Sequence, residues 1–417
     1  MDLGLSSIAT FAFVFIGMGL AAMILYAREK LVSKALCKIK INENLVKEVA
    51  GGCTLLDALL RNGIPVPSPC GGKATCKQCK VKVVEGGGDP LEPDRATFSR
   101  KDLGAGWRLS CQFKVKKDLK VAIPEEMLSV QQFEGIVLSN QNVATFIKEL
   151  IVEIPQDLKY RSGAYLQVHT PPYKINTSDW KQTMDPKFYP DWEQYRLFDR
   201  MIEFASGSPE IRAYSLASYP AEGKTLKFNV RIATPPFKNH ELTRHPWGIC
   251  SSYLFSLKPK DKVPLSGPYG ESFMKNDARE LIFLIGGAGS SFGRAHILHL
   301  FMTEKTKRKV TLWYGARSLK ENIYEAEYKK LAESFPNFTY HLVLSEPLEE
   351  DQWPKEDPLK TNYLFKAFEE GQLKKMEAPE DLLYYVCGPP LHNSSVMKLL
   401  DDYGVPRENI VLDDFGN

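Results

Sequence analysis

From Leu3 to Ala27 the chain carries no charged residue, and Ile8 to Ala27 reads IATFAFVFIGMGLAAMILYA. About 20 apolar residues in a helix reach across ~30 Å of hydrocarbon, so a transmembrane helix is expected within 1–30. A buried core helix rarely runs so far without a charge, and a cleaved signal peptide has a basic leader and a shorter apolar stretch. Only Asp2 precedes the run, whereas Arg28, Lys30, Lys34, Lys38 and Lys40 follow it. Positive charge stays on the cytoplasmic side, so the remainder of the chain is expected there, tethered by a single pass. No later stretch is long enough to span, and one span without a charge in it offers no ion pathway of its own.

The 417 residues allow two to four domains. With 54 Lys and Arg against 51 Asp and Glu, the formal charge is +3, which excludes a dedicated nucleic-acid binder. The eight cysteines are unevenly placed. ALCKIKIN (35–42) and LVKEV (45–49) alternate as strands do, and TLLDALLRNG (54–63) reads as a short helix ended by glycine. Then comes SPCGGKATCKQCK, with Cys70, Cys76 and Cys79 in a five-then-two spacing, and Cys111 farther on. Four thiolates in this arrangement suit a [2Fe–2S] cluster in a domain over 34–127, three from one loop and one from a distant strand. Zinc is the competing reading, although structural zinc sites usually show two C-x2-C pairs and Cys111 stands alone. Cys37, Cys53 and Cys250 lack a partner pattern and read as small packed residues.

From about Phe133 the pattern turns to β segments: GIVLSN, FIKELIVEI, AYLQVH, IRAYSLAS, TLKFNVRIA and DKVPLSG. They predict an antiparallel Greek-key barrel over 130–275, interrupted at 171–210 by a long insertion, a docking surface or a lid. Arg212-Ala213-Tyr214-Ser215 sits on one strand, and Gly248-Ile249-Cys250-Ser251-Ser252 precedes a helix whose free N–H groups suit a pyrophosphate. Past residue 278 the runs LIFLIG, VTLWYG, YHLVLS and LLYYVCG alternate with helical stretches, as a Rossmann-like parallel α/β domain does. Its first strand enters Gly286-Gly287-Ala288-Gly289, and later strands end in Tyr314-Gly315-Ala316-Arg317, Ser345-Glu346 and Cys387-Gly388-Pro389-Pro390. Ligands collect at such strand ends.

These motifs resemble two known families. The cysteine region resembles ferredoxins, with a wider first gap than the plant-type spacing. The barrel and α/β motifs resemble the ferredoxin–NADP reductase superfamily. By that resemblance Arg212 meets the FAD pyrophosphate, Tyr214 packs on the isoalloxazine and Ser215 hydrogen-bonds near N5. Gly248, Cys250 and Ser251 complete the phosphate site. Gly287 and Gly289 hold the nicotinamide dinucleotide's pyrophosphate, Cys387, Gly388 and Pro389 meet the nicotinamide, and Phe415 covers the flavin. The superfamily's usual proline after the glycine loop is Phe292 here. Arg317 and Ser345 complete the dinucleotide set; an arginine there suits a 2′-phosphate, but the YGAR stretch resembles that of an NADH-using family. Taken together, anchor, ferredoxin, flavin and nicotinamide parts resemble the F subunits of the Na⁺-translocating NADH–quinone reductases of bacterial inner membranes.

That resemblance implies an enzyme in which NADH reduces FAD and single electrons pass through the cluster to other membrane subunits and, indirectly, quinone. Tyr214, Ser215, Cys387 and Phe415 would serve the hydride step. No acid–base pair is expected, so Asp413 and Glu271 receive no proton-transfer role; His296 and His299 read as ordinary helix residues. A swing near Pro124 would let the cluster reach its acceptor. The alternatives are a reductase component feeding an oxygenase, which is normally soluble, and a tethered scaffold that has lost its cofactors.

Overall fold

A computed structural model describes residues 13–23, 26, 36–42, 45–123, 130–205, 209–238, 241–243 and 245–414. Residues 13–23 and 26 are helical and exposed. Among the described residues no helix is long and apolar enough to cross a membrane. Most of the expected anchor, Pro124 and Phe415 lie outside them. The chain divides into two compact units, changing over near residue 130.

In the first unit, strand β1 (Leu36–Ile41) pairs antiparallel with β2 (Leu45–Ala50) and parallel with β5 (Leu119–Ala122). Beyond β5 come β3 (Lys80–Glu85) and β4 (Trp107–Leu109), giving the order β2-β1-β5-β3-β4. The alternation of β1 has a direct outcome: Cys37, Ile39 and Ile41 are buried while Leu36 and Lys38 are exposed. The helix Leu55–Arg61 starts where the Thr54 side chain accepts a hydrogen bond from Asp57 N–H, and buries Leu55, Leu56, Ala58 and Leu59 on the sheet. Val66, Val81, Leu109, Val115 and Val121 complete the core.

The second unit begins with β6 (Gln131–Ala144) and β7 (Ile147–Glu153), followed by β8 (Tyr165–Thr170). A hairpin of β9 (Tyr173–Asn176) and β10 (Met201–Phe204) precedes β11 (Glu210–Ser215), β12 (Thr225–Arg231), the short pair β13 (Phe237–Lys238) and β14 (Glu241–Leu242), and β15 (Lys262–Tyr269). The main sheet, β11-β8-β15-β6-β7-β12, is antiparallel throughout. Its edges meet through a Leu216–Phe228 bridge, which closes the barrel.

The 171–210 insertion folds back onto this barrel as a packed layer. Trp180, Phe188, Trp192 and Leu197 are fully buried in the barrel's core, with Trp180 edge-on to Trp192 and Phe255. At its base lies Lys148, wholly buried, donating to Thr183 Oγ1 of the insertion and to the Phe255 carbonyl, its ammonium 5.2 Å from the Phe255 ring.

Strands β16 (Leu281–Gly286), β17 (Val310–Ala316), β18 (Phe338–Leu344), β19 (Leu383–Cys387) and β20 (Ile410–Leu412) form a parallel sheet in the order β18-β17-β16-β19-β20. Central β16 is buried along its whole length, the reason it reads as an unbroken apolar run. Ser290–Leu298 and Glu325–Ser334 build the core on one face, Leu364–Gly371 and Pro390–Asp402 on the other.

Burial without a carboxylate partner pushes Lys148 down to about 7. Between that value and the unfolded one of ~10.4 the unfolded chain binds more protons, so stability rises with pH across this window and is flat below it, by at most ~1.4 kcal/mol per pH unit. Urea unfolding from pH 7 to 9 should show that slope, and Lys148→Met should flatten it.

Candidate functional site

The cysteine loop is shaped by backbone before side chains. Gly71, Gly72, Ala74 and Lys77 have φ of 62°, 86°, 64° and 57°; such left-handed residues turn successive N–H groups toward the inside of a loop. Cys111 is drawn to it from the end of β4. Ser110 N–H and hydroxyl both donate to the Cys79 carbonyl, at 2.8 and 3.0 Å. Gln112 Nε2 donates to Gly72 O at 3.1 Å and to Cys111 Sγ at 3.6 Å. Cys70, Cys79 and Cys111 are buried, Cys76 is half-exposed, and none is in a disulfide. The hydrogen bond with Cys111, then burial, hold the Cys79 thiol far above its usual range. A metal bound here has to displace those protons, so its binding releases protons and weakens as pH falls. Among the described residues no three His, Cys, Asp or Glu side chains gather round a single metal point.

In the barrel, β11 carries Arg212, Tyr214 and Ser215. The Arg212 guanidinium pairs with Glu210 at 2.5 Å and donates to Ile211 O at 2.7 Å. Burial raises the Tyr214 hydroxyl. The helix Ile249–Ser256 begins at Gly248, where an added Cβ would collide with the Ala233 side chain. Its first internal bond runs from Ser252 N–H to Gly248 O, leaving the N–H groups of Ile249, Cys250 and Ser251 without partners among the described residues. The side chains at this turn face inward. The Thr170 hydroxyl donates to Cys250 Sγ at 2.8 Å, and Ser251 Oγ joins Ala233 N–H to Gly248 O, both at 3.1 Å. The backbone, rather than the Cys250 or Ser251 side chain, is what this turn offers an anion.

The α/β sheet reverses order between β16 and β19, and crevices at such switch points bind dinucleotides. Both flanking loops are glycine-lined. Gly287 (φ 54°) has open space where a Cβ would stand, while at Gly289 a Cβ would strike the Cys387 carbonyl. Phe292, at the position of the usual proline, points away from the crevice into the core. It is wholly buried and edge-on to His296 at 4.5 Å. Gly388 lies against His392, whose Nε2 is 3.1 Å from Leu284 O; Pro389 precedes the Pro390–Asp402 helix. Cys387 is fully buried, and burial raises its thiol. Ser345 and Glu346 N–H groups bond to the carbonyls of Ala316 and Arg317, joining the ends of β17 and β18. Arg317 pairs with Glu321 at 3.5 Å. His296 is buried against Ser272 O, and His299 faces Glu304.

Two residues that the sequence left aside belong to this geometry. Ser215 Oγ donates to Asp413 Oδ2 at 3.0 Å, joining residues 198 apart, and burial pushes Asp413 up to about 6. Asp413 is itself placed by its N–H bond to Val386 O, beside Cys387. Arg231, at the end of β12, is held below its usual value by burial and then by the charge of Arg317.

Comparison with known proteins agrees with both units. Residues 38–116 match a 2Fe-2S iron-sulfur cluster binding domain, and 283–396 an oxidoreductase NAD-binding domain. The fold is similar to that of the Amycolatopsis cytochrome P450 reductase GcoB (TM-score 0.61, 21% identity, covering 91% of this chain and 98% of that one). It is also similar to the ferredoxin reductase in carbazole 1,9a-dioxygenase (TM-score 0.57, 18% identity, with the same coverage). The F subunit of the Na(+)-translocating NADH-quinone reductase of Chlamydia felis is 60% identical over 99% of this chain and 98% of its own. Its counterpart from Neisseria gonorrhoeae is 44% identical over 97% and 98%. Identity of this order along nearly the whole of both chains marks common descent, and the chain belongs to the family of F subunits of Na⁺-translocating NADH–quinone reductases.

Proposed function

We propose that this chain is where electrons enter a membrane-bound, sodium-translocating NADH–quinone reductase. It takes a hydride from NADH and delivers single electrons through a [2Fe–2S] cluster to other subunits and finally to quinone. The observation that carries this is the joining, in one chain of that family, of a four-cysteine iron–sulfur unit to a reductase unit with a dinucleotide crevice at its switch point. An oxygenase-feeding role is disfavoured by the family membership.

Cys70, Cys76, Cys79 and Cys111 hold the cluster. Arg212, Tyr214 and the N–H groups after Gly248 hold FAD, whose chemistry is to take two electrons with a proton and release electrons one at a time. Gly287, Gly289, Arg317, Ser345, Gly388 and Pro389 receive NADH, with Arg231 adding charge. Buried Cys387 packs behind the nicotinamide position, and Phe415 is the expected cover. Ser215 and Asp413 stand where a proton has to be held. Above pH ~6 Asp413 is ionised and accepts from the Ser215 hydroxyl, which makes it a base within one hydrogen bond of that hydroxyl. This assigns Asp413 a role that the sequence did not suggest. The charge-free run 3–27, helical over 13–23, supports a single-pass anchor in the bacterial inner membrane with the soluble units on the cytoplasmic side, where NADH is.

Tagging the chain, solubilising membranes gently and assaying what co-purifies tests the proposal. Sodium-stimulated NADH–quinone reduction travelling with several hydrophobic subunits is the expected result; a yellow-brown chain emerging alone would reassign its acceptor. Deleting residues 1–30 should release NADH-oxidising activity into the soluble fraction. Ala at any of the four cluster cysteines should remove the iron–sulfur EPR signal while NADH still reduces FAD, and a retained signal strikes that residue from the set. The rate at which the reduced flavin passes its electrons on, a step that releases a proton, should fall as pH drops through ~6. Asp413→Asn should flatten that profile and slow the step ~10-fold or more above pH 7; an unchanged profile removes Asp413 from the reaction.

A further inference from the structure

The two segments that carry the four cysteines contain no acid. From Ala58 to Val84 the charged residues are Arg61, Lys73, Lys77, Lys80 and Lys82; from Leu103 to Lys117 they are Arg108, Lys114, Lys116 and Lys117. Acidic residues occur elsewhere between 34 and 127, at Glu43, Glu48, Asp57, Glu85, Asp89, Glu92, Asp94, Asp102, Asp118, Glu125 and Glu126, so their exclusion is local. Arg108 is internal, its Nη1 and Nη2 donating to the carbonyls of Leu103, Trp107 and Gly88. The other cations are at the surface. Arg61, Lys73, Lys77, Lys114, Lys116 and Lys117 are exposed, and Lys80 and Lys82 lie on the open face of β3. Among the described residues the ion pairs of this unit are Lys38–Glu48 and Lys120–Glu85, both outside the two segments.

Cys76 gives the patch its meaning. It is the half-exposed cysteine of the four, with exposed Lys73, Thr75 and Lys77 around it, so a cluster on these thiolates comes nearest to solvent beside two lysines, in a segment that carries no carboxylate of its own. Like charge gathered at a surface repels itself and gains nothing in the isolated fold. It acts at a distance, orienting an oppositely charged partner and speeding encounter.

We infer that the face around Cys76 is the docking surface for a protein electron acceptor whose redox centre is bordered by Asp and Glu side chains. The inference rests on the reading that the four cysteines hold the cluster. An anionic lipid surface would also attract these lysines, but it takes no electrons, and bound here it would screen Cys76 from any acceptor.

The test uses the full chain in the purified complex. Lys73→Glu/Lys77→Glu and Lys73→Gln/Lys77→Gln are compared with the unaltered protein by stopped flow. The NADH pulse first reduces the cluster, and its re-oxidation by the complex is followed at increasing ionic strength. Re-oxidation in the unaltered protein should slow as salt rises. Charge reversal should slow it ~10-fold at low salt and invert the salt dependence, with the Gln pair in between. The EPR signal and the rate of cluster reduction by NADH should stay as they were. Unchanged re-oxidation overturns the inference. So does a defect that appears only in vesicles containing anionic lipid, which would assign the patch to the membrane. Failure of the ligand reading is seen separately, as an EPR signal that survives Cys76→Ala.

Discussion

Arg294 has a side chain only 4% exposed, and a guanidinium so far from water persists only if its charge and its donors are met. Glu222, beyond the barrel's β11, pairs with it at 2.9 Å; Glu327, from the helix Glu325–Ser334, pairs at the same distance; and Ala217 O accepts a further bond at 2.8 Å. Removing one partner of such a group typically costs ~3–5 kcal/mol. The rest of the seam is built around it. Asn229 Nδ2 donates to Ser290 Oγ, the Tyr324 hydroxyl reaches both Glu149 and Asn229, and Lys320 pairs with Asp191 of the insertion. Because the barrel and the parallel sheet are joined this way, a serine at residue 215 and an aspartate at residue 413 can stand 3.0 Å apart.

The reductase unit and the cluster unit meet opposite physical demands. Hydride transfer needs groups held still and water kept out, and the second unit supplies buried polar bonds around the switch point. Passing an electron onward needs an edge that a partner can approach. On the proposed reading, the first unit meets that demand with an irregular loop whose shape comes from left-handed residues at 71, 72, 74 and 77 rather than from a packed element.

What the sequence disclosed was whatever repeats locally. LIFLIG reads as a buried parallel strand because every residue of β16 is covered on both faces, and ALCKIKI reads as a strand with one covered and one open face because its burial alternates. The cysteine spacing and the glycine loop are likewise local. The insertion at 171–210 was legible only as an interruption. Trp180, Phe188 and Trp192 pack into the barrel's core as well as on residues of their own stretch, at spacings that follow no helical or strand period, so nothing local announces their burial. Lys148 in a strand gave no hint of a buried ammonium, and Asp413 gained its place through a partner 198 residues away. Phe292 drew notice as a departure in sequence, while its harmlessness lies in a core pocket made by His296 and Tyr385.

The seam through Arg294 also decides how the molecule can be taken apart. A fragment ending between β15 and β16 would leave Glu222 with Lys227 as its one remaining cation, and the complementary fragment would carry a guanidinium bereft of Glu222 and the Ala217 carbonyl. Each would expose an apolar surface that has a partner only in the other. Flavin-binding and nicotinamide-binding halves expressed separately are therefore poor folding units, and the second unit kept whole is the piece that leaves this buried charge in company.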